Sequence, residues 1–124
     1  MRFIDSTILA YAFYENEHQD LCQQALREGG IIDSLNLIEA FNIIEFESSR
    51  ERAVKSIKSI LKLNLIIINV DVNTVFEAMK RSDANKKLRF IDLVHYTIAM
   101  LNNCECILSY DSDFDNLDIK RQTP

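Results

Sequence analysis

Met1-Arg2-Phe3-Ile4-Asp5 and, near the other end of the chain, Ile107-Leu108-Ser109-Tyr110-Asp111 are the stretches that decide the fold. Each is a short, mostly apolar run that stops at a carboxylate. Runs of this length and composition read as buried strands, which places Asp5 and Asp111 at strand C-termini. Working inward from Asp5, a helix is expected over about Thr7 to Tyr14 and a second over about His18 to Glu28, ended by Gly29-Gly30. Ile31-Ile32 reads as a short buried strand, and Ser34 as the N-cap of an apolar helix from Leu35 to Phe46. An amphipathic helix over about Arg52 to Lys62 precedes a β-branched strand at Leu65 to Val70. Asp71 caps a further helix over about Val72 to Ser82, and a polar loop from Asp83 to Arg89 leads to a second apolar helix, Ile91 to Leu101. Strands at Cys106 to Ser109 and Ile119 to Arg121 flank a turn or short helix near Asp113 to Leu117. Strands alternating with helices predict a three-layer α/β/α sandwich around a mostly parallel central sheet, with ligands bound beyond the carboxyl ends of the strands. Asp5 and Asp111 meet there.

The bulk numbers agree with one domain over 1–124: 48% hydrophobic residues suffice for a core, and two glycines and one terminal proline leave no linker. A formal charge of −5 argues against non-specific coating of nucleic acid. It does not argue against a nuclease, because clustered catalytic acids lower the net charge by themselves. Cys22, Cys104 and Cys106 form no C-x-x-C pair and read as small buried hydrophobes of a reducing compartment, with cytoplasmic as the expectation. No membrane association is expected, since the longest aliphatic run, Leu65 to Ile68, is far too short to span a bilayer and the N-terminus has no signal pattern.

Four acids carry the chemistry: Asp5, Glu39, Asp92 and Asp111. Asp5 alone reads equally well as a helix cap. Glu39 lies on a polar stripe with Asn36 and Asn42, and its bland reading is a pair with a nearby Lys or Arg. Asp92 stands among Ile91, Leu93, Val94, Ile98, Ala99 and Met100, where the bland reading is a core hydrogen bond to His95. Asp111-Ser112-Asp113-Phe114-Asp115 starts like a calcium loop but has Asn116 and Gln122 where that loop needs Gly and Glu. Carboxylates ~4 Å apart repel by ~4 kcal/mol per pair at an effective dielectric of ~20, which a divalent ion offsets. An all-oxygen set points to Mg²⁺ or Mn²⁺.

These segments resemble the PIN domain, and most closely its VapC-type toxin branch, over essentially the whole chain. Phe3-Ile4-Asp5-Ser6-Thr7-Ile8-Leu9 is similar to the family's opening motif, and Ser34-Leu35-Asn36-Leu37-Ile38-Glu39 to its second. Phe90-Ile91-Asp92-Leu93-Val94-His95 resembles the third, and Ser109-Tyr110-Asp111-Ser112-Asp113-Phe114 the fourth. Thr7 departs from the usual Asn or Ser, and Arg89 from a small residue. The resemblance implies a metal-dependent endoribonuclease, the toxin of a toxin–antitoxin pair, that cleaves RNA by a metal-activated water to leave a 5′-phosphate and a 3′-hydroxyl. It further implies Asp5, Asp92 and Asp111 as principal metal ligands, directly or through water, Glu39 completing the inner or outer shell, Asp113 assisting Asp111 or helping to hold a second ion, and Ser109 orienting a water or an acid. A VapB-type antitoxin and a homodimer are the implied partners. Lys86, Lys87 and Arg89, in the loop before Asp92, are candidate contacts for RNA phosphates, although a solvated basic loop fits them as well. Apolar surplus in the Thr7 to Tyr14 and Leu35 to Phe46 helices suggests a groove for the antitoxin.

Three further classes compete. A phosphatase or phosphoacceptor domain needs an acid beside Asp5, where Ser6-Thr7 stand, or a strand-terminal Lys, for which Lys120 is a loose match. A non-catalytic PIN-like interaction module would keep the fold and bind a partner without cutting. An rRNA- or tRNA-processing nuclease would use the same acids outside a toxin–antitoxin pair.

Overall fold

The computed structural model describes residues 1–124. Strands β1 (Arg2–Ile4), β2 (Gly30–Asp33), β3 (Leu65–Ile68), β4 (Cys106–Leu108) and β5 (Lys120–Gln122) form one sheet in the order β3-β2-β1-β4-β5, and every pairing is parallel. The helices are α1 (Ser6–Tyr11), α2 (Gln19–Glu28), α3 (Ser34–Glu47), α4 (Arg50–Ile60), α5 (Val72–Lys80) and α6 (Phe90–Leu101).

Period-2 alternation sorts the strand residues between two cores. Phe3, Ile31 and Ile107 share one face with Leu93, Val94 and Ile98 of α6. Ile4, Ile32 and Leu108 share the other with Ile8 and Leu9 of α1, Ile44 of α3 and Ile60 of α4. Both faces of the central strands are covered, which is why these strands read as apolar runs without a polar side. The chain moves outward from β1 through β2 to β3, then returns to the opposite side of β1 for β4 and β5. Strand order therefore reverses beside β1. The carboxyl ends of β1 and β4 open a crevice at that reversal.

Several boundaries differ from the sequence reading, for local reasons. Helix α1 stops at Tyr11 instead of Tyr14, because the Asn16 amide donates to the carbonyls of Tyr11 (2.9 Å) and Tyr14 (2.7 Å) and closes a turn there. Asp33, and not Ser34, caps α3: its Oδ1 accepts from the Asn36 N–H at 3.0 Å, while Asn36 Oδ1 accepts from the Asp33 N–H at 2.7 Å. Ser34 instead accepts from the Val70 N–H at 3.0 Å, tying α3 to the end of β3. Gly30 belongs to β2 as well as to the turn; its φ is 154°, and an added Cβ would lie 2.7 Å from the Arg2 carbonyl oxygen. Only glycine lets β1 and β2 approach so closely. No helix is long and apolar enough to cross a membrane.

Candidate active site

Asp5, Ser6, Thr7, Glu39, Asn42, Ile43, Arg89, Asp92 and Asp111 line one cleft of about 300 Å³ at the strand-order reversal. A larger hollow of about 440 Å³ runs along α4, but it has a single acid, Glu51, among serines, Arg52 and Lys55. The smaller cleft is the one that gathers four carboxylates.

Each acid arrives by a different local route. Asp5 ends β1 and caps α1, with one oxygen accepting from the Ser6 N–H at 2.8 Å and the other from the Ser109 hydroxyl at 2.6 Å. Cap and cleft residue are thus the same side chain. Asp92 sits in the first turn of α6, only 4% exposed, and accepts from Arg89 Nε at 3.1 Å. Asp111 follows β4 and accepts from the Asp113 N–H at 2.9 Å, and its own N–H donates to Ser109 Oγ at 2.9 Å. Glu39 comes from α3 and accepts from the Ser6 hydroxyl at 2.7 Å.

The core Asp92–His95 hydrogen bond considered from sequence does not form. His95, with no exposed surface, bridges Asp33 Oδ2 at 2.6 Å through Nδ1 and Glu39 Oε1 at 2.5 Å through Nε2. Nor does Glu39 take a Lys or Arg partner: its neighbours are His95 and Ser6, and the Asn36 amide donates to Ser6 Oγ at 2.7 Å. Asp33, Asn36, Ser6, His95 and Glu39 make one continuous polar network in which every buried side-chain polar atom has a partner. Asp33 is the member that sequence reading overlooked. Its signal was present, because Ile31-Ile32-Asp33 repeats the pattern of Phe3-Ile4-Asp5, an apolar strand stopped by Asp.

Burial sets the electrostatics. It pushes the Asp5 carboxyl above its ordinary value against the hydrogen bond from Ser109, and it pushes Asp92 up against the hydrogen bond and charge of Arg89. Burial acts upward on Glu39 too, but hydrogen bonds from His95 and Ser6 outweigh it and leave that carboxyl below its ordinary value. For His95 burial acts downward, and hydrogen bonds to Asp33 and Glu39 reverse it, pushing the imidazole up to about 10. His95 is an imidazolium at neutral pH.

Donor atoms of Glu39, Asp92 and His95 all lie within 4.8 Å of one another. His95 Nε2 is already engaged by Glu39, so the free donors facing the cleft are carboxylate oxygens. The cation lining that cleft is the Arg89 guanidinium, bound to Asp92. Hard oxygen donors whose charge is partly balanced by a protein cation are the chemistry a divalent metal fits.

The remaining candidates lie to one side. Asp113, Lys86 and Lys87 line a neighbouring cleft of about 360 Å³ with Asp115, between the loop before α6 and the 3₁₀ turn Ser112–Phe114. Asp115 is exposed and pairs with Arg121 at 2.7 Å. Cys22, Cys104 and Cys106 are buried free thiols.

A family model described as PIN domain matches residues 2–120. No curated protein sequence matches the chain. Among solved structures, Mycobacterium tuberculosis VapC20, described as a sarcin-ricin loop cleaving toxin, superposes with a TM-score of 0.86 at 12% identity over 100% of both chains. Rickettsia felis VapBC2, bound to a DNA fragment from its promoter, gives 0.75 at 18% identity over 98% of this chain and 97% of that one. A toxin–antitoxin complex from Klebsiella pneumoniae gives 0.73 at 16% identity over 100% and 98%.

Proposed function

The chain belongs to the PIN domain family, and from that premise we propose that it is a metal-dependent endoribonuclease and the toxin of a VapBC-type pair. The observation that carries this is the cleft itself: Asp5, Glu39, Asp92 and Asp111 converge at the strand-order reversal from four separate elements. Likeness to VapC20 and to two toxin–antitoxin assemblies supports the toxin assignment.

Asp5, Asp92 and Asp111 would hold a Mg²⁺ or Mn²⁺ ion, with Glu39 completing the shell. Such an ion lowers the pKa of a water and stabilises charge developing on a phosphodiester. The chain's own residues do the rest. Ser109 fixes Asp5 by its hydroxyl and Asp111 through that residue's N–H, so one side chain sets the spacing of two acids. His95, anchored on Asp33, holds Glu39 in a single orientation and keeps it ionised. Asp113 supports Asp111 through its backbone N–H. Lys86 and Lys87 in the neighbouring cleft guide RNA phosphates toward the acids, a role whose loss would flatten the salt dependence of RNA binding.

Two exposed apolar surfaces support the partner readings. Ile38 and Phe46 of α3 are exposed on either side of Asn42, which lines the cleft, and fit an antitoxin segment laid beside the site. Val72, Phe76 and Met79 form an exposed apolar stripe on α5 that fits a second copy of the chain, and a monodisperse monomer in light scattering would refute the homodimer.

One observation favours a second reading, a binding module without catalysis: Arg89 already occupies Asp92. Cleavage of an end-labelled structured RNA with Mn²⁺ or Mg²⁺, against an EDTA control and the Asp5→Asn and Asp92→Asn variants, decides between them. Metal-dependent cutting lost in both variants establishes the nuclease. Cutting that survives in both assigns the activity to a contaminant, and no cutting despite a specific bound ion favours the module.

A further inference from the structure

Beside the acidic cleft, four aromatic side chains gather without helping to hold the acids. The His18 and Tyr110 rings lie 4.4 Å apart between centroids, Tyr11 stacks on His18 at 5.6 Å with planes 12° apart, and Tyr14 meets Tyr11 edge-on at 5.9 Å. Two chain connections place this cluster against the site. Tyr110 stands between Ser109, which holds Asp5, and Asp111, which lines the cleft. Tyr11 follows Thr7, another lining residue, by four residues of α1 on the same face, a rise of about 6 Å.

The rings are half-buried, backed by the core between α1 and α2, and none is sealed from solvent. Tyr110 packs one side against that core, and its hydroxyl meets only the Cys22 thiol, at 3.9 Å, so the polar end of the ring is weakly held. Around them Glu15, Glu17 and Asp20 are exposed, with Glu17 Oε1 3.3 Å from His18 Nε2, whereas Lys86 and Lys87 line the neighbouring cleft with Ser112 and Asp113. Acids repel phosphate, so what this patch can take from a nucleic acid is a base. Unpaired bases stack on aromatic faces with little regard to sequence.

We propose that Tyr110, His18 and Tyr11 form a stacking platform for an unpaired nucleobase next to the phosphodiester in the cleft, an inference that rests on the nuclease reading. The backbone then runs toward Lys86 and Lys87 while the neighbouring base turns onto the rings.

The probe is a short unpaired oligoribonucleotide with a fluorescent 2-aminopurine walked along it one position at a time, bound in EDTA to the wild-type chain, Tyr110→Phe and Tyr110→Leu. At one position the wild type and Tyr110→Phe quench the probe, whereas Tyr110→Leu does not and binds about tenfold more weakly. An abasic residue at that position weakens wild-type binding by the same factor and leaves Tyr110→Leu unaffected. Should Tyr110→Leu melt below the assay temperature, the abasic comparison on the wild type decides by itself. Equal binding with and without the base overturns the platform and leaves this surface to a protein partner. Failure of the platform is distinct from failure of the nuclease reading. Cleavage with no dependence on Tyr110 removes only the former, while base-specific quenching by a chain that cuts nothing removes only the latter.

Discussion

Replacing His95 by leucine removes the imidazolium shared by Asp33 and Glu39, and it leaves Asp33, which has no exposed surface, as a buried carboxylate without an ionic partner, held only by the Asn36 N–H. Breaking a buried ion pair from one side costs about 3–5 kcal/mol. The imidazole gives a similar figure, since its rise from 6.5 to about 10 corresponds to about 5 kcal/mol at about 1.4 kcal/mol per unit. The lowered value of Glu39 reports the same contact from the other partner, so the two are not summed. In a chain of 124 residues, a loss of about 3–5 kcal/mol lowers the melting temperature by roughly 10–20 °C. A group whose value is raised by folding stabilises fully below its unfolded value and loses that contribution as pH climbs to its folded value. Wild-type stability should therefore decline from about pH 6.5 toward pH 10, and the His95→Leu variant should lack that limb. Calorimetric melting across this range checks both expectations. If the variant melts within about 3 °C of wild type with the same pH slope, then the network is not an ion triad.

Arg89→Ser should tighten Mn²⁺ binding by about three- to tenfold, because a half-screened guanidinium no longer competes for Asp92; titration calorimetry showing equal or weaker affinity would remove Arg89 as a competitor. Ser109→Ala deprives Asp5 of a hydroxyl donor that lowers its proton affinity, so Mn²⁺ binding should begin at higher pH and stability should fall by about 1–3 kcal/mol. An unchanged pH onset would show that Ser109 does not tune Asp5. Gly30→Ala puts a methyl 2.7 Å from the Arg2 carbonyl at φ 154°, and denaturant unfolding should register a loss of more than about 1 kcal/mol. A loss below about 0.5 kcal/mol would mean that β1 and β2 part without cost.

The sheet was legible because its strands are covered on both faces: Phe3-Ile4, Ile31-Ile32 and Ile107-Leu108 are apolar at consecutive positions, and each run stops at or near a polar residue that starts a helix or turn. The carboxylates were legible for the same reason, since Asp92 amid apolar neighbours is costly unless something nearby needs it. Helix ends were less so. They rest on side-chain caps, and both Asp33 and Ser34 carry oxygen acceptors at adjacent positions; only the path of β2 puts Asp33 within reach of the Asn36 N–H.

What the sequence determines by itself is local and periodic: which segments bury both faces, where acids interrupt them, and that strands alternate with helices. The pairing of those acids is decided by the tertiary structure. His95 lies three residues from Asp92 yet bonds Asp33 and Glu39, 62 and 56 positions away, because α6 lies against the sheet and carries the imidazole to the end of β2. Strand order likewise makes neighbours of Asp5 and Ser109, 104 positions apart, by placing β4 against β1. Contact free energies depend on separation in space, and no spacing along a chain fixes that until the sheet has set its order.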